Sequence, residues 1–286
     1  MADFNVDLSP NLVNLGTEGS LDTSIQNGNS LQRKLTGVMV EFCGNQKIVG
    51  RIDDGGQFNE TIERVKDYAG ITKTTGDNYI FVNNEFVDYY EGSTEIGDEV
   101  NNLIAMFDES GVVYKKFTDI DGRTFSSLDN MDKLIIPELD AGDLLPSLTS
   151  DARNAITDFV DGGGTLIMFE PDNGDVIDVL NELFGWSLDT SGVSEPIAIT
   201  EAGAILFPDE SATLPDLSAT DSLDTTTLPV NSVSIYTGDG SNQTVVAKMP
   251  YGAGFVYVLG WDWYDAQPVG DEDGGWNHLL RSILNS

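Results

Sequence analysis

Beyond residue 76 the apolar positions alternate between short solid runs and helical stripes. The runs "NYIFVN" (78–83), "VVYKKF" (112–117), "MDKLIIPEL" (131–139) and "TLIMF" (165–169) carry apolar centres without in-out alternation. That is the pattern of strands covered on both faces. Between them, "EIGDEVNNLIAMFDESG" (95–111) sets Ile96, Val100, Leu103, Ile104 and Phe107 on one stripe and ends at Gly111, a left-handed stop that glycine tolerates. "TSDARNAITDFVDGGG" (149–164) turns Ala152, Ile156, Phe159 and Val160 inward behind Thr149 or Ser150 as cap. "NGDVIDVLNELFG" (173–185) gives a third helix, capped by Asp172 or Asn173, since short polar side chains accept from the free N–H groups of a first turn. A last strand at 254–259 and a helix in "GGWNHLLRSILN" close the chain. The expectation is an α/β domain over residues 77–286, built on a mostly parallel sheet with helices on both faces.

Residues 186–248 break this rhythm. They are rich in Thr, Ser, Asp and Pro, with short β-like runs at 197–199, 204–207, 232–236 and 244–248. They predict a β-rich insertion or an antiparallel edge. Residues 1–76 read as a separate extension. Residues 1–36 form a Gly/Asn/Ser-rich arm. Apolar runs at 38–42 and 47–52 around Gly44-Asn45 predict a hairpin. A short amphipathic helix follows, with Asn59 as cap, Ile62 and Val65 inward and Gly70 as stop. An arm without its own core needs something to order it. One expectation is a neighbouring subunit, through strand addition; the other is that the arm wraps its own domain.

The chain has 286 residues, of which 40% are hydrophobic, so a sizeable core is expected. The 48 acids exceed the 14 bases, giving a formal charge of −34. Most of the excess lies beyond residue 77, and no Lys or Arg stands between Arg153 and Lys248. Such a surface repels phosphate backbones and anionic lipid, so neither nucleic acid nor a membrane surface is an expected partner. No run is long and apolar enough to insert in a bilayer. The first residues show no basic-then-apolar leader. With one cysteine, Cys43, this suggests an extracellular or cell-surface protein exported without a Sec signal. The alternative is the cytoplasm of a salt-adapted organism. Cys43 itself is expected to be a structural thiol.

"DKLIIPEL", "LTSDARNAITDFVDGGGTLIMF", "LNELFGWSL" and "MPYGAGFVYVLGWDWYD" together resemble the class I glutamine amidotransferase-like superfamily. More narrowly they are similar to its ThuA-like and β-galactosidase middle-domain branches. The resemblance covers about residues 77–286 and implies a flavodoxin/amidotransferase-like fold. Catalytic members carry a Gly-x-Cys-x-Gly turn and a His-x-Glu pair after a later strand. Here the turn reads Met168-Phe169-Glu170-Pro171, and the later position reads Trp261-Asp262-Trp263. The only histidine, His278, lies in the last helix. A nucleophile needs a base to take its proton, so amidotransferase chemistry is not expected. What remains is a non-catalytic structural or interaction module, self-associating or binding another protein.

Ligands of open parallel sheets meet the carboxyl ends of the strands. This chain places Asn83, Asp88 and Tyr89 after its first strand, and Glu138 after the third. Glu170 and Asp172 follow the fourth, and Trp261 and Asp262 follow the last. Three readings stay open for this acidic, aromatic rim. Glu138, Glu170 and Asp262 converge on a hard cation such as Ca²⁺, whose chemistry suits carboxylate oxygens. Or aromatic faces beside carboxylates bind, or two carboxylates cleave, a carbohydrate. Or the acids cap helices and face solvent, and no cofactor is held.

Overall fold

The structure is a computed structural model. It describes the backbone of residues 12–14, 38–43 and 46–51, and residues 77–93, 98–121, 131–171, 175–240, 242–264, 266 and 274–286. The chain divides into two compact units, Met1–Thr75 and Gly76–Ser286. In the first, β1 (Leu12–Asn14), β2 (Val38–Cys43) and β3 (Gln46–Arg51) form an antiparallel sheet in that order. Cys43 pairs with Gln46, closing a hairpin around Gly44-Asn45. The rest of the arm and the helix expected from Asn59 to Gly70 lie outside the described residues.

The second unit is built on an 11-stranded sheet. Its parallel half runs β5 (Tyr114–Phe117), β4 (Asp77–Phe81), β6 (Met131–Ile136), β7 (Thr165–Phe169) and β14 (Gly254–Leu259). In chain order along the sheet this is 2-1-3-4-5. The crossovers leave β4 in opposite directions, so a crevice opens beyond the carboxyl ends of β4 and β6. Leu134, Ile135, Leu166, Ile167, Met168 and Val258 are fully buried, as continuous apolar runs between two helix layers require.

Helix α1 (Glu99–Ser110) buries Val100, Leu103, Ile104 and Phe107 and stops at Gly111, whose φ is 69°. A short helix α2 (Leu144–Ser147) precedes α3 (Ser150–Asp161). Thr149 caps α3 by accepting from the Ala152 amide at 3.2 Å. Thr149→Ala is expected to cost about 1 kcal/mol in urea denaturation; an unchanged midpoint would show the cap carries no stability. Helix α3 packs on β7 and β14, and on α4 (Asp175–Phe184). Gly254 permits the approach to the sheet: a methyl there would collide with the carbonyl oxygens of Gly164 and Val160.

The sheet is mixed, which corrects the expectation of a mostly parallel one. Residues 186–248 supply antiparallel strands that extend the same sheet outward from β14. After the short strands β8 (Thr190–Ser191), β9 (Ile197–Ile199), β10 (Thr213–Leu214) and β11 (Ser222–Asp224) come β12 (Val233–Thr237) and β13 (Gln243–Tyr251). β13 joins β14 through a tight turn in which Gly252 has φ 55°. A two-residue hairpin forces the antiparallel sense. Residues 204–207, read as β-like, instead fall mainly in helix α5 (Glu201–Leu206), because Thr200 caps it through the Gly203 amide at 2.9 Å. Helix α6 (Trp276–Leu284) ends the chain. Among the described residues no helix is long and apolar enough to cross a membrane.

Candidate functional site

Four carboxyls gather where the parallel strands end. Glu138 follows β6, Glu170 follows β7 and Asp262 follows β14; the fourth, Glu99, opens α1 after β4. One oxygen from each of Glu99, Glu138 and Asp262 lies within 4.8 Å of the others. Glu138 shares side-chain hydrogen bonds with Glu99 on one side and Glu170 on the other. Glu170 and Asp262 are buried, and Glu99 is only 3% exposed. Oε2 of Glu99 and Oε2 of Glu138 are buried without a hydrogen-bond partner.

The backbone that presents these groups is constrained. Glu170 has φ 39°, and Trp263 has φ 74°. Both are left-handed conformations that non-glycine residues adopt at a cost of roughly 1–3 kcal/mol, so the surroundings must impose them. The Glu170 amide donates to the Leu259 carbonyl at 2.8 Å, tying the bend to the end of β14. The Asn102 amide group donates to the carbonyls of Trp263 at 3.0 Å and Tyr264 at 3.1 Å, joining α1 to the loop after β14. Asp262 Oδ1 accepts from the Tyr264 amide at 2.8 Å. Behind it, Trp263 Nε1 donates to Asn277 Oδ1 of α6 at 2.7 Å.

Burial dominates the electrostatics. It pushes the Glu99 carboxyl up to about 9; the hydrogen bond with Glu138 opposes this, and the charges of Asp262, Asp140 and Asp88 add to it. Burial likewise pushes Glu138 up to about 9, opposed by the hydrogen bond with Glu170 and reinforced by Glu99 and Asp262. Asp88 is raised by partial burial, then by Asp140 and Asp98, with its Tyr90 hydrogen bond acting the other way. The charges acting on the pair are thus all of one sign. Without a counter-charge, proximity and burial favour the neutral acids.

The remaining expected residues are placed as follows. Asn83 secures a turn: its amide donates to the Thr118 carbonyl at 3.1 Å, and its Oδ1 accepts from the Glu85 amide at 3.1 Å. The Tyr89 hydroxyl accepts from Lys116 Nζ at 3.0 Å, and that ammonium lies 5.0 Å from the ring centre. Asp172 lies outside the described residues. Trp261 is fully buried and stacks on Trp263 at 4.7 Å, so its face is closed to a sugar ring. Among the described residues, Tyr90, which hydrogen-bonds Asp88, and Tyr264, whose amide bonds Asp262, are exposed aromatics. His278 Nδ1 pairs with Glu210 Oε2 at 2.9 Å, and Cys43 belongs to β2 of the first unit.

Glu99 was not among the residues expected from the sequence, yet a signal was present. It stands four positions before Leu103 and eight before Phe107, on the inward stripe of α1. An acid on a buried stripe needs either a partner or a function.

No family model matches the chain, and no curated protein matches it. Solved structures do superpose on it. A cytoplasmic protein from Salmonella typhimurium matches with TM-score 0.51 and 14% identity, over 73% of this chain and 98% of that one. The N-terminal domain of mmIFT52 matches with TM-score 0.51 and 11% identity, over 73% and 97%. A ThuA-like protein from Bacteroides uniformis gives TM-score 0.49 and 12% identity, over 73% and 89%. At such identities the first two show a shared α/β fold and nothing of activity.

Proposed function

We propose that the second unit is a non-catalytic member of the glutamine amidotransferase-like class, a structural or interaction module that binds through its acidic crest. The observation that carries this reading is Glu170. It occupies the left-handed bend after β7, the place where catalytic members of the class hold their cysteine. Its side chain is bonded to Glu138 rather than aimed as a free nucleophile beside a base. The pairing of His278 with Glu210 supports the same reading. Self-association through the N-terminal arm belongs to this proposal, as does a place outside the cell.

A carbohydrate ligand is the second reading, favoured by the exposed rings of Tyr90 and Tyr264 beside the acids. Glu138 and Asp262, whose ligand oxygens lie within 4.8 Å of each other, are the two carboxyls that glycoside hydrolysis would use in this reading.

The test is a turnover assay on the full chain, with glutamine as ammonia donor and with aryl glycosides. The expected result is no product above the level of Glu170→Ala. Turnover that disappears in Glu170→Ala would overturn the proposal. Light scattering on the same sample checks self-association, with a particle heavier than the 30.9 kDa chain expected.

A further inference from the structure

We propose that the crest holds one hard divalent cation, ligated by Glu99, Glu138 and Asp262. The inference rests on the crest being a binding site, and it names the ligand. Three carboxylate oxygens from three separate elements meet within 4.8 Å. Ligand oxygens of Ca²⁺ or Mg²⁺ stand about 2.0–2.6 Å from the ion, so two of them lie at most about 4.0–5.2 Å apart, a range that the observed spacing matches. Acids crowd by chance on many acidic surfaces, but this group differs in one respect. Glu99 is 3% exposed, and its Oε2 has no hydrogen-bond partner. Burying an acceptor without a partner costs on the order of 1–3 kcal/mol, more when it is charged. Oε2 of Glu138 adds a second such atom. A divalent ion held there supplies the missing counter-charge, offsetting two of the three negative charges.

The donor set selects the kind of ion. All three ligands are carboxylates, which suit Ca²⁺, Mg²⁺ or Mn²⁺ and not the softer metals that take thiolate or imidazole. The second layer suits a fixed site. The Tyr264 amide holds Asp262 Oδ1, Asn102 pins the loop to α1, and Glu170 bonds to Glu138. Such outer contacts orient ligands before the ion arrives. The competing occupant is a set of protons shared along Glu99, Glu138 and Glu170.

A chain this acidic gathers cations diffusely, so the experiment separates a site from an atmosphere. Chelator-treated full-length protein is titrated calorimetrically with CaCl₂, MgCl₂ and MnCl₂, in enough KCl to screen surface charge. The wild type and an exposed-acid control, Asp151→Asn, are each expected to bind one equivalent of at least one ion. Glu99→Gln and Glu138→Gln, confirmed folded by circular dichroism, are expected to lose at least about tenfold in affinity. Binding should also raise the wild-type thermal midpoint and leave that of Glu99→Gln unmoved. Binding that high salt abolishes, equal binding in Glu99→Gln, or no binding by the wild type would each overturn the cation site. The turnover assay, repeated with the ion present, keeps the two proposals apart. Catalysis with a bound ion removes the non-catalytic reading alone. Absence of both binding and catalysis removes the cation alone.

Discussion

Glu99→Gln is expected to make the chelator-treated protein more stable at about pH 8, by a margin that vanishes near pH 4. In the unfolded chain this carboxyl ionises around its ordinary value of 4.5; in the fold burial pushes it up to about 9. Between those values the native state keeps a proton that the unfolded state has released. Stability therefore falls as pH rises through the window, by up to about 1.4 kcal/mol per pH unit for one such group. Below 4.5 both states are protonated and the penalty is gone. Glutamine carries no ionisation cost at any pH. The gain at about pH 8 is on the order of a few kcal/mol, shared in part with Glu138, whose protonation is coupled to the same site. Urea denaturation of both proteins at several pH values measures it. A variant that is equally stable, or less stable, at the alkaline end would mean that Glu99 is ionised and well paired in the fold. Adding a bound divalent ion should reverse the order, since only the wild type gains from it.

Trp263→Ala is expected to remove about 3–5 kcal/mol, the usual loss for a buried aromatic cut to a methyl. That is a large share of the roughly 5–15 kcal/mol that holds a domain together. The Trp263 ring is fully buried. It meets Phe169 edge-on at 5.0 Å, Trp261 at 4.7 Å and Trp276 at 6.4 Å. Its indole nitrogen also bonds Asn277, so truncation leaves a buried amide oxygen short of a donor. Trp263→Phe keeps most of the packing and loses only that bond, so it should cost roughly 1–3 kcal/mol. The two variants together separate packing from hydrogen bonding in the same denaturation experiment. A loss below about 1 kcal/mol in Trp263→Ala would show that the aromatic cluster does not anchor the loop that presents Asp262.

The parallel half of the fold was legible because it obeys simple periodicities. Solid apolar runs such as "TLIMF" marked the buried strands, and the stripe from Val100 to Phe107 marked α1. Thr149 and Gly111 marked helix ends. The antiparallel half was less legible. Its strands are short, its runs mix Thr and Ser with apolar residues, and nothing local says whether they start a new sheet or extend the old one. That is decided by the turn at Gly252, which returns the chain beside β14. At 204–207 the apolar letters suggested a strand, but the Thr200 cap decided for a helix.

At the crest, strand ends alone pointed to Glu138, Glu170 and Asp262. Glu99 was hidden because acids in a first helical turn are ordinary; its position on the inward stripe was the overlooked sign. Among the rim's aromatics, Trp261 is packed away from any ligand. Trp261 and Trp263 sit beside Asp262 in sequence, yet the left-handed backbone at Trp263 accompanies two indoles packed wholly into the core.

Anomalous diffraction from crystals soaked in Mn²⁺ tests most directly whether acids and a cation replace a nucleophile at the crest. One anomalous peak is expected within bonding distance of oxygens from Glu99, Glu138 and Asp262, with Glu170 still bonded to Glu138 at the bend. Those carboxyls turned apart toward solvent with no peak between them, or a serine or cysteine seated over the bend against a base, would contradict it.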